Sequence, residues 1–162
     1  MPLIGHIKKS GHDVYLPWIG GDLIPNVKAI EEIDLIETVT FFGYPNGIWD
    51  TANFLPIARR GVTATPISID FQGKKQFLID ASVFPGSSGS PVFIINTGMY
   101  TNKFGQTNLA SGLFFLGIIA AVYFRTDINK IEILTEPTKH FPISVNREMV
   151  DLGIVFKADT II

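Results

Sequence analysis

Residues 86–91, Gly-Ser-Ser-Gly-Ser-Pro, lie between two apolar segments and constrain the fold more than any other stretch of the chain. The flanking residues 75–79 and 91–95 have the composition of buried strands. Because glycine adopts backbone conformations that are closed to other residues, this turn can expose one serine and direct N–H groups toward one point. A nucleophile beside an oxyanion hole requires that geometry. An ordinary turn between two strands also fits this composition.

The nucleophile elbow of α/β-hydrolases is a rival interpretation of the same residues. That motif is Gly-x-Ser-x-Gly on a turn from a strand into a helix. Position 90 is serine instead of the second glycine, and the next residues, Pro-Val-Phe-Ile-Ile, indicate a strand. The sequence therefore excludes the elbow.

Residues 80–91, Asp-Ala-Ser-Val-Phe-Pro-Gly-Ser-Ser-Gly-Ser-Pro, resemble the nucleophile region of the trypsin-like serine peptidases of the chymotrypsin fold. The similarity is greatest to the bacterial branch, which has short loops and no disulfides. That branch carries Gly-x-Ser-Gly-x-Pro after an Asp-Ala-x-x-x-Pro stretch. The resemblance implies that Ser88 is the nucleophile and that the N–H groups of Gly86 and Ser88 form the oxyanion hole. Ser90 stands where the family often has a second glycine.

Further segments extend the resemblance over roughly residues 13–158. Residues 38–45 resemble the strand that enters the family's second barrel, and residues 151–158 resemble its closing strand. The resemblance implies an all-β fold, with an antiparallel trypsin-like β-barrel at residues 38–162 as the second barrel of the double-barrel chymotrypsin fold. Residues 1–37 are then a remnant of the first barrel and the connection between the barrels.

Two stretches are predicted from their turn signals alone. Residues 19–37 contain Gly20-Gly21 and Pro25-Asn26, which are typical of a surface connection. Residues 125–150 contain two prolines with charged neighbours, which indicate an exposed excursion, with a short strand at residues 130–134.

The resemblance also assigns roles around the nucleophile. Asp13 would orient the catalytic histidine, although an aspartate in a turn before a strand fits that position equally well. Ser82, six residues before Ser88, would shape the base of the specificity pocket without a charge, and Gly117, Ala120 and Ala121 would form one wall. The resemblance therefore implies a small or medium apolar residue at the cleaved position.

The catalytic histidine is missing from its expected place. In the family it lies on the first barrel, several strands before the aspartate, but only twelve residues precede Asp13. His12 is a strand neighbour of Asp13 and should point to the opposite face, while His6 and His140 match no family motif. Without a base, a serine hydroxyl is a poor nucleophile at neutral pH.

Two functions follow, both with a peptide or protein as partner. The first is a trypsin-like serine endopeptidase that is incomplete in this chain, either as the C-terminal part of a longer peptidase or with its base supplied by another chain. The alternative is a non-catalytic peptide-binding or interaction module on a protease scaffold. A barrel remnant should expose apolar surface around Val14, Leu16 and Trp18, which predicts self-association or a missing N-terminal segment.

The composition of the chain limits the number of domains, the kinds of partner and the compartment that we expect. With 162 residues, 46% hydrophobic and 17% charged, the chain is long and apolar enough for one folded domain. A net charge of −2 and no basic run argue against nucleic acid as a partner. The absence of cysteine and the scattered histidines predict no metal site and no cofactor. The longest apolar stretch, residues 113–124, is shorter than the ~20 residues of a membrane span. No signal peptide is evident, so the cytoplasm is the default compartment.

Overall fold

The structure, a computed structural model, describes residues 19–109, 112–130 and 143–161, with residues 108–109, 125–130 and 143–148 described by their backbone alone. The apolar surface predicted around Val14, Leu16 and Trp18 lies outside these residues.

Six antiparallel strands close into a barrel. They are joined in the order β1-β2-β3-β8-β7-β4, and β4 closes the barrel by pairing with β1. The remaining two strands, β5 and β6, form a separate hairpin. The expectation of an all-β fold with an antiparallel barrel is confirmed. The strand bounds are β1 Thr38–Gly43, β2 Ile57–Thr63, β3 Gln76–Asp80, β4 Pro91–Asn96, β5 Met99–Thr101, β6 Thr107–Leu109, β7 Gly112–Lys130 and β8 Ile143–Lys157.

The barrel core follows from the alternation of side chains along each strand. In β1, Val39 and Phe41 are buried while the residues between them are more accessible. Strand β3 is buried at four consecutive residues, as expected of a strand enclosed on both faces. The two contribute to one cluster of buried apolar residues from six segments of the chain: Val39, Phe41, Ile67, Phe77, Ile79, Ala81, Val83, Val92, Ile94, Leu116, Ile119 and Val155.

A short helical segment covers one face of the barrel. It consists of a 3-10 turn, Gly21–Leu23, and helix α1, Val27–Glu32, whose N-cap Asn26 accepts a hydrogen bond from the Ala29 N–H at 2.9 Å. Leu23 packs against a second cluster of buried residues, which lies outside the main core. The predicted surface connection therefore contains a helix, because its apolar residues are needed to cover the barrel.

The excursion predicted within residues 125–150 was based on Pro137 and Pro142, which lie outside the described residues. Strands β7 and β8 continue as an antiparallel ladder from Phe124–Met149 to Lys130–Ile143. This pairing satisfies backbone groups that an irregular excursion would leave to solvent. Within the described ranges, no helix is long and apolar enough to cross a membrane, and α1 itself has only six residues.

Candidate active site at the Ser88 loop

Residues 84–90, here called the Ser88 loop, join the end of β3 to the start of β4. Gly86 has φ = 90° and Gly89 has φ = 85°, so the backbone at both positions favours glycine. A Cβ at position 86 would lie only 2.5 Å from the Tyr44 carbonyl oxygen, whereas a Cβ at position 89 would meet open space. Glycine is therefore required at position 86 for two reasons: its φ is positive, and the backbone of residues 44–47 lies too close to allow a Cβ.

Hydrogen bonds fix the loop against β7. The Gly89 N–H donates to the Ile119 carbonyl at 2.7 Å, and the Ile119 N–H donates to the Ser90 carbonyl at 2.9 Å. Inside the loop, the Ser87 N–H donates to the Phe84 carbonyl at 3.0 Å, and the Ser90 N–H donates to the Ser87 carbonyl at 3.1 Å. The loop is thus a closed turn with a defined backbone.

The loop amides divide into two groups. Those of Ser87, Gly89 and Ser90 donate to carbonyl groups, while those of Phe84, Gly86 and Ser88 donate to no acceptor among the described residues. Two of these three free donors, Gly86 and Ser88, are the pair that the family resemblance assigns to the oxyanion hole. Two N–H groups of one tight turn are the usual means of holding the charge that develops on a carbonyl oxygen.

The three serines of the loop have different environments. Ser88 is exposed, and its hydroxyl donates to the Ala120 carbonyl at 3.4 Å, which is long for a hydrogen bond from a hydroxyl. Ser87 is 1% exposed and its Oγ has no hydrogen-bond partner. Ser90 is 4% exposed and packs against Gly43, where a Cβ would collide with the Ser90 Oγ. Only Ser88 presents its hydroxyl to a ligand.

The predicted pocket residues occupy different places. Ala120 contacts Ser88 through the hydrogen bond at its carbonyl, and the adjacent Ala121 is exposed. Gly117 is buried where β7 pairs with both β4 and β8, and a Cβ there would collide with the Phe156 carbonyl. Ser82 is half-buried in the segment after β3.

The structure does not describe the residues that were weighed as catalytic partners of Ser88. Asp13, His6, His12 and His140 are outside the described residues. Among the hydrogen bonds of the described part, the Ser88 hydroxyl has the Ala120 carbonyl as its partner and no basic side chain.

Arg59 is the feature beside the loop that the sequence interpretation missed. Its guanidinium carbon lies 4.9 Å from the ring centre of Phe84, at the start of the loop, and 5.9 Å from that of Phe41. The atom Nη1 is buried and has no hydrogen-bond partner in the part of the chain that the structure describes. Strand alternation could have indicated this position, because Arg59 shares its face of β2 with the buried Thr63.

A cavity lies at the opposite end of β3. It has a volume of about 260 Å³ and lies between α1, the start of β3 and the end of β8. Beside it, the Lys157 ammonium donates to Asp70 Oδ1 at 2.6 Å, and Lys75 lies 3.3 Å from Asp70 Oδ2 and 3.8 Å from Asp159. The hydrogen bond from Lys157, joined by Lys75, holds the pKa of Asp70 below its ordinary value of 3.8.

Comparison with known proteins leaves the site to be interpreted from its own geometry. No protein-family model matches the chain, and no curated protein or solved structure matches it either. In the part of the chain that the structure describes, no group of three or more acidic, histidine or cysteine side chains could hold a metal ion.

Proposed function

We propose that this chain is the nucleophile-bearing barrel of a trypsin-like serine endopeptidase, with Ser88 as the nucleophile. The observation that carries the proposal is the pair of free amides, at Gly86 and Ser88, on the same turn as the exposed hydroxyl. The closed six-stranded antiparallel barrel is compatible with the second barrel of that family.

The loop supplies two of the elements of acyl transfer. The Ser88 hydroxyl attacks the peptide carbonyl, and the Gly86 and Ser88 N–H groups hold the oxyanion, which is worth about 3–4 kcal/mol per donor. The proton that Ser88 directs at the Ala120 carbonyl must pass to a general base before attack, because a carbonyl oxygen is too weak a base. A histidine oriented by Asp13 is the expected base.

The edge of β7 supports binding of an extended peptide next to Ser88. Strand β7 pairs with β4 as far as Ile118 and with β8 over most of its length. The Ile119 N–H and carbonyl bond to the Ser88 loop, and beyond Ile119 no second described strand pairs with β7 on the side opposite β8. An added peptide strand could pair with this part of the edge, at Ala121 and the residues that follow.

Labelling with a fluorophosphonate probe tests the activation of Ser88. If a base reaches Ser88, the wild-type chain and its Ser87→Ala variant should be labelled and the Ser88→Ala variant should not. Ser87→Ala is a matched control, because it removes a hydroxyl from the adjacent position, where the Oγ is buried. A labelled Ser88→Ala variant contradicts the proposal, and a folded wild-type chain that resists the probe means that this chain alone is not a working peptidase.

A non-catalytic peptide-binding module is the second candidate. It is favoured by the hydrogen bond of Ser88 to a carbonyl instead of a basic side chain among the described residues. For such a module, a peptide should bind the wild-type chain and the Ser88→Ala variant equally, and mass spectrometry should detect no cleavage over days. Cleavage that depends on Ser88 excludes this candidate.

A further inference from the structure

We propose that Arg59 binds a carboxylate group of the peptide that lies against the Ser88 loop. The assignment rests on the proposed function, because it takes the Ser88 loop as the peptide site. The proposed site predicts that one position of the peptide carries a carboxylate. The specificity pocket implied by Ser82, by contrast, would bind an uncharged residue.

The guanidinium of Arg59 lies close to two aromatic rings. Phe41 is the residue opposite Arg59 in the β1–β2 ladder, and Phe84 covers the guanidinium from the loop side. Stacking on a ring face occupies the plane of the guanidinium but leaves its N–H edge available. Among the described residues, the Arg59 guanidinium therefore contacts two rings, and its Nη1 has no hydrogen-bond acceptor.

The charge of Arg59 has no counter-ion among the described residues. Its Nη1 is buried without a partner, and no described carboxylate oxygen lies within ion-pair distance of the guanidinium. A buried lysine can lose its proton, but arginine stays charged at any pH that a folded protein tolerates. Because Arg59 is only half-buried, part of its side chain stays accessible, and a carboxylate that reaches the guanidinium gains a charge-assisted hydrogen bond.

The position of Arg59 places this anion beside the nucleophile loop. Phe84 precedes Ser88 by four residues, a span of at most ~14 Å for an extended chain, and the turn at Ser87 shortens it. A peptide at Ser88 can therefore reach Arg59 within a few of its own residues. The planar fork of a guanidinium matches a carboxylate through two parallel hydrogen bonds. The carboxylate can come from an acidic side chain or from the peptide's C-terminus.

The test uses the Ser88→Ala protein, so that binding is measured without turnover. Three pentapeptides are titrated by calorimetry: acetyl-Ala-Ala-Glu-Ala-Ala-amide, its glutamine twin, and the glutamine peptide with a free C-terminal carboxylate. If a side chain supplies the anion, we expect the glutamate peptide to bind about 10-fold to 100-fold more tightly than its twin. If the terminus supplies it, the free-acid peptide should show this gain instead.

Arg59→Gln and Arg60→Gln form a matched pair in that background. Both remove one positive charge from adjacent positions of β2, but Arg60 is exposed and pairs opposite Thr40. The carboxylate preference should disappear in Arg59→Gln and persist in Arg60→Gln. Arg59→Lys, which keeps the charge but loses the planar fork, should retain only part of it and serves as the test if Arg59→Gln does not fold.

Three results overturn the assignment: equal binding of all three peptides, no binding of any of them, or a carboxylate preference that survives Arg59→Gln. These results are separate from the probe experiment. A chain that resists the fluorophosphonate probe but binds the carboxylate peptide through Arg59 is not a working peptidase by itself, and the carboxylate site stands. A chain whose Ser88 is labelled but which shows no carboxylate preference supports the peptidase and contradicts the carboxylate site.

Discussion

The polar groups near the start of β3 are paired with each other, whereas several polar groups near its end have no partner among the described residues. At its start, beside the cavity of about 260 Å³, Lys75 and Lys157 are both paired with Asp70, and Asp159 lies close to Lys75. At its end, the amides of Phe84, Gly86 and Ser88 and the buried atoms Ser87 Oγ and Arg59 Nη1 have no partner among the described residues. The cavity of about 260 Å³ therefore adjoins paired charges, whereas the donors without acceptors lie at the Ser88 loop.

This difference shows why cavity size alone does not identify a site. Paired charges have already exchanged their hydration for each other, so a ligand gains little by meeting them. Unpartnered donors that are fixed in position gain a partner only when a ligand arrives. The experiments below probe whether the two ends differ in stability as they do in hydrogen bonding.

The largest effect is expected from Gly86→Ala at the loop. The added Cβ combines an unfavourable φ with a contact to the Tyr44 carbonyl, so we expect a loss of about 2–4 kcal/mol in the free energy of unfolding. Gly89→Ala is the matched control, because its φ is similar but its Cβ meets open space, and it should cost about 1–2 kcal/mol. Urea denaturation measures both.

The same two variants also test whether the reactivity of Ser88 depends on the conformation of the loop in a chain that is still folded. Gly86→Ala should also slow probe labelling of Ser88 at temperatures where the variant is fully folded, because the oxyanion amides move. If the two variants were equally stable, the backbone of residues 44–47 would have moved away from the added Cβ without loss of stability. The Ser88 loop would then not be a rigid turn.

An intermediate effect is expected from Asp70→Asn at the other end of β3. The change removes the carboxylate that pairs with Lys157, whose side chain is only 10% exposed, so the melting temperature at neutral pH should fall. Asp159→Asn is the control, because its 3.8 Å contact with Lys75 is between exposed groups and should matter little.

The effect of Asp70 should also depend on pH with a definite sign. Its pKa is lowered in the folded state, chiefly by the hydrogen bond from Lys157, so the unfolded chain binds a proton first as the pH falls. Its stabilisation is complete above the ordinary value of 3.8 and is lost as the pH falls through the lowered folded value. Thermal melts from pH 7 to pH 2 should therefore show the wild-type and Asp70→Asn curves converging in acid. A constant difference at all pH values contradicts the pairing.

The smallest effect is expected from Ser87→Ala. The buried Oγ of Ser87 has no partner, so its removal leaves no donor or acceptor unsatisfied and vacates only a small volume. We expect a change within about 1 kcal/mol, in either direction, by urea denaturation. A larger loss would reveal a hydrogen bond to Ser87, and the loop would then be less rich in unused groups than the comparison requires.

Most strands were predictable because their signals are local. The alternation in β1, the apolar run of β3 and the run that follows Pro91 in β4 each indicate a strand without reference to the rest of the chain. The helix α1 was missed, and so was the extension of the β7–β8 ladder beyond the strands predicted at residues 113–124 and 151–158. A six-residue helix carries too little periodicity to be seen, and a ladder depends on a partner strand that is remote in sequence.

In the candidate site, too, some features follow from local sequence and others depend on the tertiary structure. Glycine, serine and proline between two apolar runs determined by themselves that a tight turn would carry Ser88, because the preferences of these residues act within a few positions. The tertiary structure alone decided which loop amides stay free, that Arg59 stacks on Phe84, and that Lys157 pairs with Asp70. Such contacts depend on how the barrel closes, and closure brings together residues that have no common pattern along the chain.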